Sequence, residues 1–196
     1  MKDKVSELEP NTIEIYSDGA SSPNPGRGGY GYIIRYLLSD EGCDPRENII
    51  EGSAGYRSTT NQRMEMMGAL NAINYLGNMI FACKLSGDKK VDVFRHVKII
   101  SDSSYLCSGF TKGWVNMWKV RYWLKSNGKP VLNRDLWEEI DSGVTSLKRK
   151  FGLDTRFIHV QGHKGWVFNE ACDKLAVQAR QSKDLMIDSI YETMYR

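Results

Sequence analysis

The sequence predicts an α/β domain built on one five-stranded mixed sheet flanked by helices. Three observations point there. Strand-like runs come first and close together, strand-like and helix-like segments then alternate, and 196 residues at 41% hydrophobic composition suffice for one sizeable core.

Residues 12–17 (TIEIYS) alternate apolar and polar side chains, and the pattern resumes in YGYIIRYLL after a Gly/Pro-rich turn and in ENIIEGSAGY after a DPR turn. These read as an antiparallel meander. From Asn61 to about Ala82, Met64, Met67, Leu70, Ile73, Leu76 and Ile80 recur at spacings of three and four, which predicts an amphipathic helix with one buried stripe. The charged segment KLSGDKKVDVFRH reads as an exposed connection to VKIIS, whose apolar run suits a buried central strand. A helix capped by Asp102 or Ser103 follows, then a Trp-rich basic stretch and a polar turn at SNGKP. Next come a helix over about 133–150, a last strand TRFIHV, a glycine-flanked loop QGHKG and a final helix starting near Phe168. Helical spacing in LMIDSIYETMYR predicts an added helix packed on the body.

The resulting division is an N-terminal extension over 1–11, too short for a domain of its own, one domain over 12–182 with an insertion at 84–96, and a C-terminal helical extension over 183–196. No run approaches 18 apolar residues and the N-terminus is charged throughout, so a membrane span and a signal peptide are both excluded, and a cytoplasmic protein is expected. Cys43, Cys83, Cys107 and Cys172 are scattered without CxxC pairing and read as free thiols.

Net charge is +3, but its distribution is uneven. Lys112, Lys119, Arg121, Lys125, Lys129 and Arg134 fall between Thr111 and Arg134 with no acid among them, so this stretch carries +6 and the remainder 21 − 24 = −3. Trp114, Trp118 and Trp123 are interleaved with these cations. Aromatics among bases without acids suit a nucleic-acid duplex better than a merely solvated helix face.

Asp18 and Asp102 each follow a predicted strand, the place where open α/β sheets build their active sites. Alone, either reads as ordinary turn or cap chemistry. Glu65, near the start of the long helix, and Asp173, about one turn into the last, read alone as a solvated helix acid and a dipole partner.

Together the segments say more. SDGA, TNQRMEMMGAL, SDSSYL and GHKGWVFNEACDKLA resemble, in order, the active-site segments of ribonuclease H of the bacterial and eukaryotic type 1 class, and GFTKGWVNMWKVRYWLKSNGKPVLNRDLWEE resembles that class's basic handle. The resemblance runs from about Thr12 to Arg180. It implies a ribonuclease H-like fold and an endonuclease that cuts the RNA strand of an RNA–DNA hybrid, leaving 5′-phosphate and 3′-hydroxyl ends. It implies metal ligation by Asp18, Glu65, Asp102 and Asp173. Crowded carboxylates raise each other's pKa until cations neutralise them, and hard oxygen donors select Mg²⁺, two ions here, or Mn²⁺. His163, between Gly162 and Lys164-Gly165, stands where the family keeps a histidine that assists catalysis by moving protons or helping product leave. Its H-x3-H pairing with His159 lacks the Cys pair of a zinc finger.

By the same resemblance, Asn24, Asn61 and Gln62 read the minor groove and Thr60 and Asn133 grip a DNA phosphate. Lys119, Arg121, Lys125 and Lys129, with Trp114, Trp118 and Trp123, form the handle for the DNA strand. The chain departs from the pattern twice: Ser58, with Arg57 beside it, stands where animal relatives place a phosphate-pocket arginine, and the Glu65–Asp102 interval is longer than in compact bacterial enzymes. A monomer is expected. The alternatives are a strand-transfer or junction nuclease on the same fold, which would not be expected to combine this handle with the GH loop, and a non-catalytic hybrid-binding module, against which four intact acids argue.

Overall fold

The computed structural model describes residues 4–39 and 43–194. Its strands are β1 (Thr12–Ser21), β2 (Gly26–Leu38), β3 (Arg46–Thr59), β4 (His96–Ser101) and β5 (Asp154–His159). They line up as β3-β2-β1-β4-β5, with β1, β2 and β3 antiparallel and the β1–β4 and β4–β5 pairs parallel. Mixed pairing follows from the connections: short segments link β1 to β2 and β2 to β3, whereas β4 and β5 are each reached through a helical crossover.

Strand β1 is paired on both edges and buried from Thr12 to Ala20. Its alternation therefore marks two covered faces. Ile13 and Ile15 join the main core, while Glu14, 1% exposed, is satisfied by Tyr16 Oη at 3.0 Å, Ser6 Oγ at 2.7 Å and Arg35 Nη1 at 3.5 Å. A buried charge persists only with such partners.

Helices α1 (Asn61–Leu85) and α4 (Arg134–Phe151) cover one face, where Met64, Met67, Leu70, Ile73, Leu76 and Ile80 meet Ile13, Ile15, Ile34 and Trp137. The other face packs Tyr16, Ile33 and Ile100 against α5 (Val167–Arg180), through Cys172, Phe168 and Leu175. Short helices α2 (Ser104–Thr111) and α3 (Trp114–Val120) follow β4, and α6 (Ser189–Met194) closes the described chain. All four cysteines are free.

The structure corrects two expectations. The 84–96 segment is more than an exposed connection: a 3-10 turn over Lys89–Val93 buries Val91, and Phe94 packs edge-on against Tyr36 at 5.5 Å. Two apolar residues among charges leave no periodic signal, yet they anchor the segment. In the tail, helix is confined to Ser189–Met194; before it, Met186 N donates to the Gly55 carbonyl at 2.8 Å and Arg57 N to the Met186 carbonyl at 3.0 Å, so the chain pairs briefly with β3.

Candidate active site

Four elements deliver the four acids. Asp18 lies in β1, Asp102 directly follows β4, Glu65 occupies the first turns of α1, and Asp173 sits in the second turn of α5, about one turn in, as the sequence suggests. Gly19 permits the meeting: a Cβ there would overlap the α1 backbone at Met64 and Glu65. Strand β1 and the start of α1 are thus in backbone contact, which puts Asp18 beside Glu65.

Hydrogen bonds orient two of the carboxylates. Gly19 N donates to Asp18 Oδ1 at 2.7 Å, Asn61 Nδ2 donates to Glu65 Oε1 at 2.8 Å, and the Ser103 hydroxyl donates to Glu65 Oε2. Burial, then the neighbouring charges of Asp102, Asp173 and Glu65, push the Asp18 carboxyl up to about 8 despite the Gly19 bond. Burial also raises Glu65, which feels Asp102, against the lowering bonds from Ser103 and Asn61. The acids share one electrostatic neighbourhood. Among the described residues, however, no three His, Cys, Asp or Glu side chains converge into a ready-made metal cage. All-oxygen donors in an open cluster fit a hard divalent cation that keeps waters and takes further oxygens from substrate.

His163 is exposed, with φ at +53°, in the loop between β5 and α5. The loop approaches the acids at Gly162, where a Cβ would stand 2.5 Å from Asp102 Oδ2. His159 Nε2 donates to the Asp102 carbonyl at 3.1 Å, so this histidine supports the β4 end.

Asn24, Thr60, Gln62 and Asn133 come together, with Pro25, Leu132 and Tyr191, around a cleft of about 400 Å³. Asn61 links it to the acids: its backbone N–H donates to Asn24 Oδ1 at 3.2 Å while its side chain holds Glu65. Thr60 Oγ1 caps α1 through Arg63 N at 3.3 Å. Asn133 precedes α4 in a left-handed conformation, φ +56°, without capping it; its Oδ1 accepts from Arg63 Nη1 at 3.5 Å. Arg57 is turned away, forked onto Glu192 at 2.8 and 2.7 Å, and is absent from the cleft lining.

Trp114, Trp118, Arg121 and Lys125 line a second cleft of about 290 Å³. Trp123 does not join them. It is 7% exposed, with φ +63°, packed 6.5 Å from Trp118 and under the Arg134 guanidinium at 5.8 Å, so it props the stretch from inside. Lys119 is paired with Asp141 of α4 at 2.6 Å, while Lys129 is exposed at the turn.

The model of the family described as RNase H matches residues 10–181. The chain belongs to the RNase H family. Ribonuclease H of Treponema denticola is 38% identical over 169 residues, covering 86% of this chain and 97% of the relative, and that of Pelobacter propionicus is 40% identical over 167 residues, covering 85% and 83%. The crystal structure of LC9-RNase H1, described as a type 1 RNase H with the type 2 active-site motif, superimposes with a TM-score of 0.63 at 25% identity, covering 97% of this chain and 84% of that one. LC11-RNase H1, solved in complex with an RNA/DNA hybrid, gives 0.53 at 25% identity, covering 86% and 96%.

The chain is thus a ribonuclease H nuclease, and residues of this RNase H that sequence reading passed over now stand out. Ser103 was legible only as a cap, yet it also holds Glu65. Tyr191 enters the first cleft from the far end of the chain, with no local signal to announce it. Arg63, in the quoted TNQRMEMMGAL, is 1% exposed between Asp135 at 2.7 Å and Asp188 at 2.6 Å.

Proposed function

We propose that this RNase H hydrolyses the RNA strand of RNA–DNA hybrids, leaving 5′-phosphate and 3′-hydroxyl ends. The observation that carries the reading is that Asp18, delivered by β1, shares one electrostatic neighbourhood with Glu65, Asp102 and Asp173 from three other elements, in a chain that also carries a cation-rich stretch without acids over 111–134. These four acids would hold two Mg²⁺ ions, with Mn²⁺ as substitute. Divalent cations held by these acids would supply an activated water nucleophile and charge neutralisation for the leaving group.

The chain's own groups position the duplex. Asn24, Asn61 and Gln62 face the minor groove, where 2′-hydroxyls distinguish the two strands. Thr60 and Asn133 receive a DNA phosphate in the cleft they line, with Arg63 close behind. Arg121, Lys125 and Lys129 meet the DNA backbone, and Lys119 does so by exchanging Asp141 for a phosphate. His163 transfers a proton on the product side. The hybrid complex of the similar LC11-RNase H1 supports the choice of substrate.

The test is to incubate labelled RNA–DNA hybrid, double-stranded RNA and double-stranded DNA with the protein and Mg²⁺. Hybrid cleavage confined to the RNA strand is expected. Cleavage of duplex DNA, or no Mg²⁺-dependent cleavage of the hybrid, would overturn the proposal.

A further inference from the structure

Residues 4–9 precede the sheet; Lys4 is tied to the entry of α5, and Ser6 and Glu9 are tied to the sheet. Lys4 N donates to the Gly165 carbonyl at 2.6 Å and Val167 N donates to the Lys4 carbonyl at 3.2 Å, so Lys4 pairs as a parallel strand residue with Trp166. The Lys4 ammonium stands 5.8 Å from the Trp166 ring centroid. Further along, Ser6 Oγ donates to Glu14 Oε2 at 2.7 Å and meets the Tyr16 hydroxyl at 2.8 Å, while Arg35 Nη1 donates to the Ser6 carbonyl at 3.3 Å. Glu9 then pairs with Lys98 at 2.8 Å. The anchors lie on β1, β2 and β4, the rigid centre of the fold.

What Lys4 holds is the far end of the loop that carries His163. That loop leaves β5 at Val160, bonded back to the Ser101 carbonyl at 3.1 Å, presses Gly162 against Asp102 and enters α5 at Trp166. Between these points it passes through two left-handed residues, His163 at φ +53° and Gly165 at φ +81°. A side-chain-bearing residue keeps such a backbone only where its surroundings impose it. Gly165 is where they do so: its N–H donates to Glu170 Oε1 at 2.9 Å, and its carbonyl takes the Lys4 bond.

We infer that Lys4–Glu9 is a positioning strap: the Lys4 backbone fixes the downstream end of the loop and thereby sets where His163 stands relative to the carboxylates. The inference rests on the catalytic reading of His163 above. Its chemistry is backbone pairing, so the ammonium of Lys4 is incidental.

The test uses the full chain with Lys4→Pro, which removes the N–H given to Gly165; with residues 1–5 deleted; and with Lys4→Ala, which keeps both backbone bonds. Steady-state kcat and KM on the hybrid with Mg²⁺ are measured beside urea stability. Lys4→Pro and the deletion should lower kcat about three- to tenfold, the worth of one or two hydrogen bonds, with KM within about twofold of the parent. Lys4→Ala should match the parent. In a His163→Ala background, Lys4→Pro should have no further effect on kcat. Unchanged kcat in both Lys4→Pro and the deletion, with or without lost stability, overturns the strap, as does an undiminished kcat loss in the His163→Ala background. If His163→Ala alone leaves kcat unchanged, the reading of His163 fails first and the inference falls with it.

Discussion

Asp18 is 7% exposed and shares its surroundings with three other carboxylates, so in the absence of cations its charge is a source of instability. Because the folded carboxyl keeps its proton up to about 8 whereas the unfolded one releases it near 3.8, the stability this group contributes is full below the unfolded value and is lost as pH rises towards 8. Asp18→Asn should therefore stabilise the cation-free protein by about 1–2 kcal/mol at pH 8 and by less at pH 5 while abolishing cleavage. Urea titrations at the two pH values check this; an equal gain at both would contradict it. Gly19→Ala should behave oppositely, costing both stability and activity, since the added methyl meets α1 backbone that has nowhere to go. The acids were legible because their segments resemble a known order. Gly19's contact with α1, the second bond of Ser103 and the place of Tyr191 were not, because each depends on a partner distant in the chain.

At the level of elements, Arg63 ties together the start of α1, the start of α4 and the tail. Asp188, 3% exposed, gives it two bonds at 2.6 and 3.0 Å and also accepts from Thr59 Oγ1 at 2.8 Å. Asp188→Ala should cost about 3 kcal/mol in urea unfolding, because a buried guanidinium loses half its neutralisation. It should also weaken hybrid binding, since Asn133 leans on the same arginine. The long helix was readable from its apolar stripe and runs to Leu85, close to its expected end. The tail was readable only in part: periodicity finds the apolar residues of 185–194 but says nothing of Asp188 reaching across to α1, or of the extended pairing before α6. In the handle, composition located the cations but could not tell a surface tryptophan from the buried Trp123, a distinction set by the left-handed turn at Tyr122 and Trp123.

At the scale of the whole molecule, the four candidate metal-binding acids and the cation-rich stretch over 111–134 lie in separate segments, and the two functions should separate with them. Under the proposed assignment, Asp102→Asn should abolish cleavage yet leave hybrid binding largely intact, because the handle would supply most of the phosphate neutralisation. If both fall together, the handle assignment is wrong. Arg121→Ala should instead weaken binding and reduce the slope of log affinity against log salt by about 1, measured by fluorescence anisotropy. The order of strands and helices was legible except for α3, which lies in a stretch whose composition stands out as Trp-rich and basic but shows no helical periodicity. The burial of both faces of β1 was not, since alternation looks the same whether the polar face meets water or a buried network such as Glu14–Arg35.

Strand β3 is an edge of the sheet, and along it the tail meets Gly55, Tyr56 and Arg57. The first half of that edge carries Arg46, Glu47 and Glu51, charges that discourage another chain from pairing with it; the stretch from Gly52 to Tyr56 carries none. There the tail takes up the strand's free backbone groups at Gly55 and Arg57, where a neighbouring molecule's strand could otherwise add. Cells that lost these last residues would face a protein prone to stacking on itself as well as one with a weakened cleft.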